Sequence, residues 1–73
     1  MDEHERRAEA AYAAMYEARP WAVKDLYDEA RAEFGRAIEA ARAAGRESDA
    51  LRLERRLGDV EAVYASQFRG VGM

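Results

Sequence analysis

The chain has no cysteine, and only one histidine, one proline and one lysine among its 73 residues. Without cysteine there can be no disulfide, no thiolate nucleophile and no thiolate metal ligand. The lone His4 stands among charged residues, and one imidazole does not make a zinc site. Long apolar runs are missing too, so no segment approaches the length of a membrane span. The opening Met1-Asp2-Glu3-His4-Glu5-Arg6-Arg7 does not resemble a signal-peptide n-region, and a cytoplasmic location is the expectation. Nor is there a strong excess of one charge. The formal net charge is −3, and acids and bases mix along the whole chain, which argues against a polyanion-binding arm. The near-exclusive use of arginine over lysine, beside abundant alanine, reads as genomic base composition before it reads as function.

What is present has a helical period. Pro20 and Gly45 are the internal breaks, and Gly70 with Gly72 close the chain. They separate three stretches in which apolar residues recur every three or four positions, and none in which they alternate. Asp2, with Glu5 three residues on, makes a capping-box-like start. Ala8, Ala11, Tyr12, Met15 and Tyr16 then form one face of a first helix, expected over about 3–18. Arg19-Pro20 ends it, because the residue before proline is pushed out of the helical region and proline suits a first helical position. A kinked continuous helix is the alternative.

A second helix is expected over about 21–44, with Val23, Tyr27, Ala30, Phe34, Ala37, Ala41 and Ala44 on its seam and Leu26 and Ile38 beside it. Gly45 suits the left-handed residue that ends it, and Ser48 or Asp49 can cap the next. The third helix, over about 49–69, places Ala50, Leu53, Leu57, Val60, Tyr64 and Gln67 on its seam, flanked by Leu51, Val63 and Phe68. A short connection forces antiparallel neighbours. The fold expected is all-α: a single domain over 1–73, a three-helix bundle with a long helix 2–helix 3 hairpin, the N-terminal helix docked on it, and a flexible tail over 70–73. The turn end of the hairpin is alanine-rich. Its open end carries the aromatic residues, so the bulk of the core and the docking site of helix 1 belong there.

Gly35 and Gly58 lie at equal distance from the turn and so at one level of the hairpin. Either they allow a close backbone approach or a groove for another helix, or each sits harmlessly on an outer face.

The chemistry available is narrow. Carboxylates stand three residues before arginines (Asp28 and Arg31, Glu33 and Arg36, Glu39 and Arg42, Asp49 and Arg52), a spacing that describes a solvated helix face. Ser48 reads as a cap, Ser66 has no local base, and glycine-rich phosphate loops are absent. No catalytic, cofactor-binding or metal-ligating residue is expected. Arg42, Arg46, Arg52, Arg55 and Arg56 gather at the turn end. They form either a patch for an acidic partner or nucleic acid, or an ordinary surface diluted by Glu47, Asp49, Glu54 and Asp59. Ala41, Gly45 and Leu51 have the spacing of a helix-turn-helix, but Arg46 and Glu54 stand where that motif needs apolar residues and both helices are too long.

Aromatic residues are the remaining candidates. At their spacings Tyr27 and Phe68 read as core, whereas Trp21, beside the helix 1–2 break and off the main seam, could face either way. It is the preferred single anchor for a partner. The segment Tyr27-Asp28-Glu29-Ala30-Arg31-Ala32-Glu33-Phe34-Gly35-Arg36-Ala37-Ile38 resembles the second helix of a tetratricopeptide repeat, with an alanine, an aromatic four on and an alanine three later. It is also similar to the middle helix of microtubule-interacting-and-transport domains, which are three-helix bundles. About fifteen residues carry the likeness; no second repeat follows, and helix 3 has Leu57-Gly58 without the repeat's aromatic. The resemblance implies a protein- or peptide-binding module and transfers no functional residue.

The expected function is therefore non-catalytic protein–protein interaction: a small adaptor, regulator or inhibitor that self-associates, as a dimer. Trp21, Tyr16, Arg52, Arg55 and Arg56 are its candidate partner-binding residues. The partner is a protein of unstated identity, and no membrane is involved. A nucleic-acid-binding regulator using the arginine-rich end is the alternative.

Overall fold

A computed structural model describes residues 3–68. It is a three-helix bundle: α1 spans Glu3–Met15, α2 Pro20–Ala43 and α3 Glu47–Val63, and a π-helical turn follows over Tyr64–Phe68. Asp2 and the expected tail over 70–73 lie outside the described residues. No strand occurs among those described.

Each junction has a local cause. Helix 1 stops at Met15, three residues earlier than its apolar period suggests. Tyr16, Glu17 and Ala18 donate to carbonyls only three residues back, which tightens the last turn. Arg19 then takes an extended backbone (φ −64°, ψ 152°), as the residue before a proline must, and Pro20 opens α2. At the other end of α2, Gly45 has φ +75°. Its N–H bonds Arg42 O at 3.0 Å and that of Arg46 bonds Ala41 O at 2.8 Å, the paired closure of a Schellman motif. The closure consumes Arg46, which becomes the residue flanking α3, without a side-chain cap. The cap expected of Ser48 or Asp49 is thus corrected: both stand inside the first turn, and Asp49 pairs with the Arg46 guanidinium at 2.8 Å. Glu47 and Asp49 still place negative charge where the helix dipole favours it.

The seams bury as the periodicity requires, with four exceptions. Tyr16, expected on the α1 face, stands exposed just past the end of the helix. Ala44 is exposed at the helix end; Leu51 is exposed on the outer face of α3; and Gln67, expected on the seam, is exposed. The π turn explains the last. Its i→i+5 bonding fits more residues into a turn than the 3.6 of an α-helix, so the face carried by Tyr64 passes to Phe68 and not to Gln67. Tyr64 stacks on Tyr27 with ring centroids 3.8 Å apart, and Phe68 meets the edge of Tyr16 at 5.1 Å.

Contacts between partners fix the directions of the helices. Arg42–Glu54 and Arg31–Glu61 cross the α2–α3 hairpin, and His4–Glu33 crosses α1–α2. Glu5–Arg52, Glu9–Arg56 and Tyr16–Phe68 step together along α1 and α3, which therefore run parallel. At about 1.5 Å per residue, α1 is only about 20 Å long against about 36 Å for α2. It covers the open end and leaves the turn end as two helices. Six of the buried apolar residues are alanines (Ala8, Ala11, Ala30, Ala37, Ala41, Ala50), so Met15, Val23, Tyr27, Phe34, Ile38, Leu53 and Val60 supply nearly all the core volume.

Gly35 and Gly58 have open space where a Cβ would stand. Neither permits a close helix approach within the fold. They are glycines on outer faces.

Candidate protein-interaction surface

The arginine-rich turn end is largely engaged within the chain. Arg52 grips both carboxylate oxygens of Glu5, at 2.8 and 3.1 Å, and Arg56 grips those of Glu9, at 2.8 and 2.9 Å. Glu5 and Glu9 are one turn apart on α1, as Arg52 and Arg56 are on α3. The two forks therefore form a ladder between parallel helices, and fork-to-fork geometry makes such pairs directional. Arg56 also lies over the Tyr12 ring at 5.1 Å. Arg42 bonds Glu54 and reaches Glu47 at 3.5 Å, and Arg46 holds Asp49. Of the five arginines, Arg55 alone makes no ion pair among the described residues, and it is exposed. The i,i+3 pairs foreseen at Glu33–Arg36 and Asp49–Arg52 form, at 3.4 and 3.9 Å. Those foreseen at Asp28–Arg31 and Glu39–Arg42 do not: Asp28 takes Lys24, Arg31 takes Glu61, and Arg42 turns to α3.

These ties move two carboxylates. The Arg52 guanidinium, donating to Glu5, holds that carboxyl below its ordinary value against the opposing effect of burial. His4 Nδ1 donates to Glu33 Oε1 at 2.6 Å and lowers Glu33 likewise, helped by Arg36. Each of the two carboxylates is held by a partner on a neighbouring helix.

At the open end the two aromatic candidates are on the surface. Trp21 is 71% exposed and Tyr16 52%. Trp21 lies on α2 away from the core, with the Arg19 guanidinium 5.8 Å from its ring centre. Tyr16 shares a hydroxyl hydrogen bond of 3.0 Å with Tyr12 and packs edge-on against Phe68. Its ring is thus held in place while half of it faces solvent. Tyr27, by contrast, is buried, and burial raises its hydroxyl pKa. Trp21 and Tyr16 flank the same turn. Tyr12 bridges Tyr16 to Arg56, bonding the one through its hydroxyl and lying under the guanidinium of the other, whereas no hydrogen bond or ring contact among the described residues joins Trp21 to Arg52, Arg55 or Arg56.

Two open grooves complete the surface. One, of about 480 Å³, lies at the turn end beyond the start of α1, floored by Ala40, Ala41, Ala44 and Leu53 and rimmed by Arg46 and Arg52 with their own carboxylates. The other, of about 600 Å³, lies between the outer side of α1 and α2, lined by Ala10, Ala13, Ala14, Glu17, Ala18 and Leu26. The α1 stripe read from sequence passes over these alanines. The signal that could have found them is alanine at helix positions where a solvated face would carry charge.

Among the described residues no group of three or more His, Asp or Glu side chains could hold a metal ion, and no helix is long and apolar enough to cross a membrane. No family model, curated protein or solved structure matches the chain.

Proposed function

We propose that this protein is a non-catalytic protein–protein interaction module, a small adaptor, regulator or inhibitor, which also self-associates as a dimer. The observation that carries the reading is the exposure of Trp21 and Tyr16 at one end of the bundle. Large, rigid aromatic rings supply much of the binding energy at protein interfaces while losing little conformational freedom. A small core, in which six of the thirteen buried apolar residues are alanines, supports self-association, since small domains gain stability from a partner's apolar surface. The engagement of Arg42, Arg46, Arg52 and Arg56 with carboxylates leaves little free positive charge for a nucleic-acid backbone at the turn end.

The test is sedimentation velocity from low to high micromolar concentration, alongside affinity capture from the native cell with wild-type and Trp21→Ala/Tyr16→Ala baits. The proposal expects a concentration-dependent dimer and a set of captured proteins lost with the aromatic variant. A strict monomer would remove the dimer; identical capture by both baits would remove the aromatic anchor.

A further inference from the structure

The outer face of α1 has a charge order of its own. Glu3, Arg7, Ala10 and Ala14 follow one another at alternating steps of four and three, the period of a helix seam, and Glu17, in the turn after α1, lines the same groove. Ala10, Ala13, Ala14 and Glu17 line one apolar groove together with Leu26 of α2. At the N-terminal end of this face Arg6 and Arg7 share a single carboxylate, Glu3, at 3.5 and 3.3 Å. At the other end Glu17 makes no ion pair or hydrogen bond through its carboxylate among the described residues. The face thus carries two arginines at its start, facing Glu3 and the field of Glu33, an ion-pair-free Glu17 at its end among the described residues, and only small α1 side chains between.

That order is complementary to itself when reversed. We infer that a second copy of this chain docks its α1 antiparallel on this face, about a two-fold axis lying between Ala10 and Ala14. In that register Ala10 of each copy meets Ala14 of the other, and Arg7 meets Glu17 at both ends. The inference rests on the self-association proposed above and assigns it a surface. A two-fold interface uses the same patch on both subunits, so each complementary charge is counted twice. Alanines let the helix axes approach closely, and Leu26 gives the groove its apolar floor. A helix of about 20 Å covers less than the ~800 Å² per partner typical of stable complexes, so the dimer belongs to the weak, micromolar class.

Sedimentation equilibrium of the full chain tests this with four variants, their helicity checked by circular dichroism. Ala10→Arg places a long cation at the centre of the interface on an exposed position, and the dimer is expected to disappear. Glu17→Arg and Arg7→Glu should each weaken dimerisation about fivefold to tenfold, from two exposed pairs made repulsive. Arg7→Glu/Glu17→Arg together should restore it to near the wild-type level. A wild-type dimer that persists in Ala10→Arg overturns this assignment and leaves self-association standing, as does a double reversal that fails to restore. A wild-type chain that stays monomeric overturns both.

Discussion

The two ends of the bundle are built from different materials. At the open end three helices meet, and large side chains fill the space: Met15, Phe34, the stacked Tyr27 and Tyr64, and the Tyr12–Tyr16–Phe68 series. At the turn end two helices meet through alanines, and what orders them is the glycine closure and ion pairs such as Arg42–Glu54. The difference teaches that packing volume and charge pairing divide the work along one 40 Å axis. The open end supplies stability and presents aromatic surface; the turn end supplies geometry, and its arginines are occupied in doing so.

The contrast can be broken most severely at Phe34, which is fully buried. Phe34→Ala is expected to cost about 3–5 kcal/mol in chemical denaturation, as large-to-small changes in a packed core do. A loss no greater than that of a surface substitution would mean the aromatic residues are not the core. Next in size is Gly45→Ala, which forces a Cβ into the left-handed region and should cost about 1–2 kcal/mol. The Arg56–Glu9 tie ranks third. Both side chains are 39% exposed, so a double-mutant cycle should give a coupling of about 0.5–1 kcal/mol, falling with salt. Smallest, and of opposite sign, Gly35→Ala and Gly58→Ala should each stabilise by about 0.5–1 kcal/mol, because the added methyl meets open space and the helix propensity rises. Destabilisation in either would show a backbone approach at that level.

Acid should act through the charge ties that position α1. Glu5 and Glu33 have lowered values in the folded state, so the stability they contribute is present above the unfolded value of 4.5 and is lost as pH falls through the lower folded values. A stability profile below pH 4.5 should therefore flatten in Glu5→Gln and in Glu33→Gln. An unchanged slope in both would show that neither carboxylate is held by its partner.

How much of this was legible in the sequence depends on how local the cause is. Gly45 was readable because a left-handed residue after a long apolar stripe needs glycine, and the hairpin and its aromatic end follow from that. Ser48 and Asp49 misled because the Schellman closure ends on Arg46, which also flanks α3, so the helix already begins at Glu47. Gln67 left the seam because a change of helical winding leaves no mark in a period read at 3.6, while Phe68 packs against the core as expected. The arginine ladder was hidden for another reason. Pairing Glu5 with Arg52 and Glu9 with Arg56 needs the parallel arrangement of α1 and α3, whereas sequence spacing shows only neighbours on one helix. Trp21 stands off the seam in the first turn of α2, where the apolar period alone does not decide which way a ring faces, and it is exposed.

Amide chemical shifts followed by ¹H–¹⁵N spectroscopy across a dilution series test most directly which end is used for recognition. The account predicts concentration-dependent shifts centred on residues 7–17, in α1 and the turn after it, and on the neighbouring start of α2, with residues 42–56 unchanged. Shifts centred on residues 42–56 instead would place the interaction at the arginine end and contradict it.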